Sequence, residues 1–161
     1  MSELLESLID DIRNRVRAKD PTAVERATRL AEEYPDEPMV WSSLAYARAS
    51  NKDLDGAVLA MNRMIDLAPP HPVNFLTRGR YELKRGNLEA ALADFDRGIE
   101  LSKQLQDDWC VENIYFFRAE VLVRLGRKAE ARADLSHVRD DMLDWLPQRR
   151  TKADILADCD R

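Results

Sequence analysis

The stretch Gly86–Phe95 reads GNLEAALADF, and the chain writes its pattern twice more. Thirty-four residues earlier stands KDLDGAVLAM (Lys52–Met61), and forty residues later GRKAEARADL (Gly126–Leu135). Each copy has an alanine at its sixth position (Ala57, Ala91, Ala131) and a large apolar residue four beyond it (Met61, Phe95, Leu135). Residues four apart share one helical face, so a small residue precedes a bulky one by a single turn. A small residue at that point lets a second helix cross closely, and the bulky one fills the space beside it. Ala23 and Ala27 extend the pattern backwards, thirty-four residues before Ala57 and Met61.

Outward from these copies the chain reads as hairpin after hairpin. Leu4, Leu5, Leu8, Ile9, Ile12 and Val16 form one helical stripe, and a second runs through Ala23, Val24, Ala27, Leu30 and Ala31 to a stop near Tyr34, ahead of Pro35 and Pro38. The stripe of Trp41, Leu44, Ala45 and Ala47 breaks at Asn51–Asp53 and resumes through Ala57 to Ile65, where Pro69, Pro70 and Pro72 end it. Later breaks fall at Arg85-Gly86-Asn87 and Gly126-Arg127. Nine helices are expected and no strand. The forty-residue spacing adds six residues around KQLQDDWC, where no proline follows Leu101. That predicts a helix longer by one to two turns, with Trp109 packed where the fourth hairpin begins.

Composition narrows the chemistry. The 161 residues are 45% hydrophobic and 34% charged, with a formal charge of −5 and five glycines. That balance suits a helix-rich protein and argues against nucleic acid, whose binding rests on neutralising phosphates. MSELLESLIDDIRNR carries acids where a secretion signal has positive charge, and no window reaches the ~20 apolar residues of a membrane span, so a cytoplasmic protein is expected, with no membrane contact. Cys110 and Cys159 read as free, packed thiols. His71 lies between prolines and His137 among charges, neither with a second metal ligand at a suitable spacing, so no metal or cofactor is expected. Asp107-Asp108 and Asp140-Asp141 sit at turns or helix ends, where capping explains them. No phosphate-loop, dinucleotide or nucleophile-elbow glycine pattern exists.

A thirty-four-residue helix-turn-helix period marks the tetratricopeptide repeat, and the sequence resembles that family at Trp41, Leu44, Ala45, Ala57, Met61 and Pro69. Phe75, Gly79, Ala91, Phe95 and Gly98 carry the resemblance in the third repeat, and Tyr115, Ala119, Ala131 and Leu135 in the fourth. In the first, Ser7 and Asp11 replace the aromatic and small residues, as suits a terminal repeat. The resemblance implies an all-α fold: a right-handed superhelical array of antiparallel hairpins forming a single domain over residues 1–161. Its repeats are expected at about 4–37, 38–71, 72–111 and 112–145, with a capping helix over 148–159 that sets Ile155 and Leu156 on the fourth repeat and turns its basic start, Arg149–Lys152, to water.

Arg78 and Arg118 precede the small residue of their hairpins, and an acid follows each by sixteen residues, Asp94 and Asp134. The second repeat has Leu44 and Ala60 instead. Acid and base that come and go together predict structural ion pairs within a hairpin. The family binds ligands on the inward face of its first helices. That implies a groove of Met39, Ser42, Tyr46, Arg80, Lys84, Asn113, Phe116, Glu120 and Arg124 for a protein or peptide, with Tyr46, Arg80 and Phe116 as its anchors. The carboxylate clamp of heat-shock co-chaperones is missing, since its sites hold Leu8, Ile12, Ser43, Val73 and Thr77, or Ser42, Tyr46, Thr77, Asn113 and Phe117. A non-enzymatic interaction module is therefore the leading expectation. A bacterial immunity protein or secretion chaperone is the alternative, and an enzyme stands last. Leu5, Leu8 and Ile12 leave self-association through the terminal repeats open.

Overall fold

Helices follow one another from the first described residue. The computed structural model describes residues 3–141 and 150–161, and among them it contains nine helices and no strand ladder. The helices fall into two compact units, residues 1–70 and 71–161, which divide at the proline cluster Pro69–Pro72.

The first unit holds α1 (Glu3–Arg17), α2 (Ala23–Glu33), α3 (Pro38–Ser50) and α4 (Leu54–Leu67). Pro38 opens α3, where its missing N–H and fixed φ suit the first turn. Asp53 caps α4 by accepting from Gly56 N at 2.9 Å. Within this unit α3 packs on both α1 and α2, and Trp41 fixes the entry to α3 by donating from Nε1 to Pro35 O at 2.8 Å. Leu5, Ile9, Ile12, Leu30, Val40, Leu44 and Met61 make the core, each at most 5% exposed.

The second unit holds α5 (Pro72–Arg85), α6 (Leu88–Leu105), α7 (Val111–Arg124), α8 (Lys128–Leu135) and α9 (Lys152–Asp160). α6 has 18 residues against 14 in α4, one turn more, as the long spacing requires. It ends where Gln106 turns left-handed, at φ 53°. The aligned alanines Ala23, Ala57, Ala91 and Ala131 are between 0 and 4% exposed, and so each hairpin closes on a small residue. Phe95 sits beneath Gly79, where an added Cβ would lie 2.7 Å from the ring. Phe95 and Phe117 stack at 6.3 Å, and Phe116 meets Phe117 edge-on at 5.4 Å. Fully burying one such ring contributes about 1.5–3 kcal/mol.

α9 lies on α7 and α8, with Ile155 fully buried and Leu156 against the same core. A capping box of Thr151 and Asp154 starts it. Two expectations fail here. The helix begins at Lys152 and its basic lead-in faces protein: Arg150 pairs with Glu120 and Asp158, and Lys152 Nζ donates to Val138 O at 2.7 Å. Residues 148 and 149 of the expected cap, and 142–145 of the expected fourth repeat, lie outside the described residues. Trp109, expected to pack at the start of the fourth hairpin, is instead 76% exposed. α6 ends in the left-handed turn at Gln106, and the residues buried at the start of the fourth hairpin are Cys110 and Ile114, at 1% and 0% exposure.

Candidate functional site

The residues with a polar task separate into internal ties and accessible side chains. In the second unit, Arg78 Nε donates to Asp94 Oδ2 at 2.9 Å, and its guanidinium lies over the Phe75 ring at 5.6 Å. Arg118 repeats the arrangement one hairpin on: Nε to Asp134 Oδ2 at 2.7 Å, Nη2 to Oδ1 at 2.6 Å, and the Tyr115 ring at 5.5 Å. Its Nη1 also reaches Asp96 Oδ1 on α6 at 2.6 Å, and so one guanidinium joins three helices. The Asp134 bond, with the charges of both carboxylates, raises its pKa further, and the cation is permanent.

Of the inward residues, Phe116 and Glu120 are not on an open face. Phe116 is 1% exposed in the core, because α7 buries two consecutive rings. Glu120 is 5% exposed and accepts from Arg124 Nε at 2.8 Å and from Arg150 Nη1. Arg80 is half-buried with its guanidinium over Phe117 at 4.8 Å, and Asn113 is half-buried in the first turn of α7. Lys84 and Arg124 are exposed in the last turns of α5 and α7, at matched positions forty residues apart. In the first unit Met39 and Ser42 are half-buried, and Tyr46 is 39% exposed.

The groups with catalytic potential are occupied structurally. His71 caps α5 by accepting from Val73 N at Nδ1, with Asp107 Oδ2 3.2 Å from its Nε2. His137 stacks on Tyr115 at 4.4 Å. Burial, with the Asp107 charge nearby, pushes the Cys110 thiol up to about 11, the opposite of an activated thiolate. Both cysteines are free and buried. Among the described residues no group of three or more His, Cys, Asp or Glu could hold a metal, and no helix is long and apolar enough to cross a membrane.

Sequence reasoning missed three features. One is an open cavity of about 560 Å³ in the first unit, beside Tyr46 and the turns at Lys19 and Lys52. Those two lysines are left-handed, at φ 56° and 66°. Lys52 stands at the repeat register of Gly86 and Gly126, and that mismatch of residue type was the available signal, whereas Lys19 lies one residue past the register. The others are the outward Trp109 and the inward Arg150.

Hairpins joined by small residues at a thirty-four-residue period define a helical-repeat protein. The tetratricopeptide repeat family model matches residues 21–72 and 76–139, and the chain belongs to that family. No curated protein matches the sequence. Among solved structures, the nearly identical TPR-like repeats of a kinesin-light-chain-type protein of Podosopora anserina align with a TM-score of 0.73 at 16% identity, over 96% of this chain and 84% of that one. MamA from Desulfovibrio magneticus RS-1 aligns with a TM-score of 0.70 at 15% identity, over 85% of this chain and 75% of that one. YrrB, a TPR protein with an unusual peptide-binding site, gives 0.65 at 14%, over 81% and 64%. At such identities the likeness is one of fold.

Proposed function

We propose that this chain is a non-catalytic interaction module that offers the first helices of its hairpins to a partner protein or peptide. The observation that carries the reading is the recurrence of an exposed cation, Lys84 and then Arg124, at one register of neighbouring first helices in a family built for protein contact. On a chain of net charge −5 such a matched pair marks a local face, suited to a partner segment that carries acids. The fold likeness to a peptide-binding repeat protein supports the same class of partner. The structural employment of both histidines and the raised Cys110 thiol speak for binding and against catalysis.

Capture from native lysate by the wild type and by Lys84→Glu/Arg124→Glu tests this. Arg124 also ties the buried Glu120 at 2.8 Å, so thermal unfolding is followed beside circular dichroism, and with the helices intact the captured partner should fall by roughly tenfold or more. Capture at the wild-type level would move the binding face elsewhere.

A further inference from the structure

Two features of the molecule, one in each unit, have complementary chemistry. The first is the open cavity of about 560 Å³ in the first unit, a volume in the range of ligand sites. Its floor is apolar, formed by Val16, Ala23, Val24, Ala47 and the Tyr46 ring. Its rim carries Arg17, Lys19 and Lys52 against one acid, Asp20. That acid is already committed, to Arg15 Nη1 at 2.6 Å and to Thr22 N at 2.8 Å. Among the described residues no carboxylate lies within salt-bridge distance of Arg17, Lys19 or Lys52. The cavity is thus a basic, apolar-floored site on an acidic chain.

The rim lysines are held at a cost. Both are left-handed, a conformation that the third and fourth repeats give to glycine and that disfavours a residue with a Cβ by roughly 1 kcal/mol. Non-glycine residues kept in such a conformation concentrate at binding sites. Here both such residues are lysines that line one cavity.

The second feature is the loop after α6. Leu105 is 51% and Trp109 76% exposed, large apolar side chains open to solvent among the described residues. Between them stand Asp107 and Asp108, and Trp109 N donates to Asp107 Oδ1 at 3.1 Å, which fixes the turn that aims the indole outward. The segment therefore presents a large ring beside carboxylates, the chemistry that an apolar cavity with a basic rim accepts.

We infer that the cavity of one copy receives the Leu105–Trp109 segment of a second copy, with the Trp109 ring on the apolar floor and Asp108 against Lys19 and Lys52. Donor and acceptor surfaces differ, so one copy's segment enters the other's cavity, either in one direction or reciprocally about a two-fold axis. Assembly then grows with concentration and weakens with salt. The inference deepens the reading of the chain as an interaction module by naming one partner, the chain itself.

Sedimentation velocity on the full chain tests it. The average mass of the wild type should rise with concentration and fall as salt is added. Trp109→Ala and Lys19→Glu/Lys52→Glu should each weaken association by at least about tenfold, since the first removes the anchor and the second reverses the rim. All three positions are exposed, so both variants should keep wild-type circular dichroism. The deciding arm mixes the two variants. Each retains the surface the other lacks, and the mixture should form a heterodimer and nothing larger. A wild type that stays monomeric, association that survives either variant, or a mixture that stays monomeric overturns the inference. Lys84→Glu/Arg124→Glu should self-associate like the wild type, and so loss of foreign capture and loss of self-association are separate results.

Discussion

The second and third hairpins reach the same crossing with different chemistry. In the α3–α4 hairpin the register holds Leu44 and Ala60, 2% and 1% exposed. In α5–α6 the same register holds Arg78 and Asp94, joined at 2.9 Å with Asp94 only 5% exposed, and α7–α8 repeats it with Arg118 and Asp134. One backbone geometry accepts an apolar pair or an ion pair. A buried carboxylate is tolerable only beside its cation, because taking a charge out of water costs several kcal/mol unless it is paired. Size is traded in the same way. Gly79 faces Phe95, whereas the matched positions pair Ala45 with Met61 and Ala119 with Leu135.

Breaking one partner should give the largest effect. Asp94→Ala leaves the Arg78 cation without its carboxylate at a site where the arginine side chain is 24% exposed. We expect a loss of about 3 kcal/mol in urea unfolding, the low end for a buried pair because of that exposure. Gly79→Ala comes next. Its Cβ would meet the Phe95 ring at 2.7 Å, and overpacking of this kind costs roughly 1–3 kcal/mol. Adding Phe95→Leu, the fourth repeat's solution, should restore part of the loss. The turns give the smallest change. Gly86→Ala should lower stability by about 1 kcal/mol, and Lys52→Gly should raise it by roughly 0.5–1 kcal/mol while it removes a cation from the cavity rim. A thermal-denaturation series on the two variants would sharpen the contrast between lysine and glycine turns.

The hairpins were legible because their signals are local and repeated. Ala57, Ala91 and Ala131 mark the crossings, prolines mark the stops, and the missing proline after Leu101 marks the longer α6. The sixteen-residue offset from Arg78 to Asp94 was readable because it recurs at Arg118 and Asp134. The accessible face was less so. A helical period does not say which of two adjacent rings points inward, and α7 buries both Phe116 and Phe117. Glu120 is expected in the groove, but its further partner, Arg150, lies thirty residues on, beyond any local pattern. The spacing places Trp109 where the fourth hairpin begins, but it cannot give the left-handed turn at Gln106 that precedes the exposed ring. The cavity in the first unit is lined by two left-handed lysines, and only Lys52, at the register of Gly86 and Gly126, has a sequence signal for that conformation.

The claim at the centre of this comparison is that the two crossings are interchangeable as pairs and not as single residues. A double-mutant cycle on the third hairpin measures it directly: Arg78→Leu, Asp94→Ala and the combined variant, each unfolded in urea against the wild type. The combined variant carries the residues of the second hairpin, Leu44 and Ala60, at the matched register. It should unfold within about 1 kcal/mol of the wild type, although Asp94→Ala alone loses about 3 kcal/mol. A combined variant as unstable as Asp94→Ala alone would contradict the account, because the ion pair would then be required by the hairpin and not one of two equivalent ways to fill it.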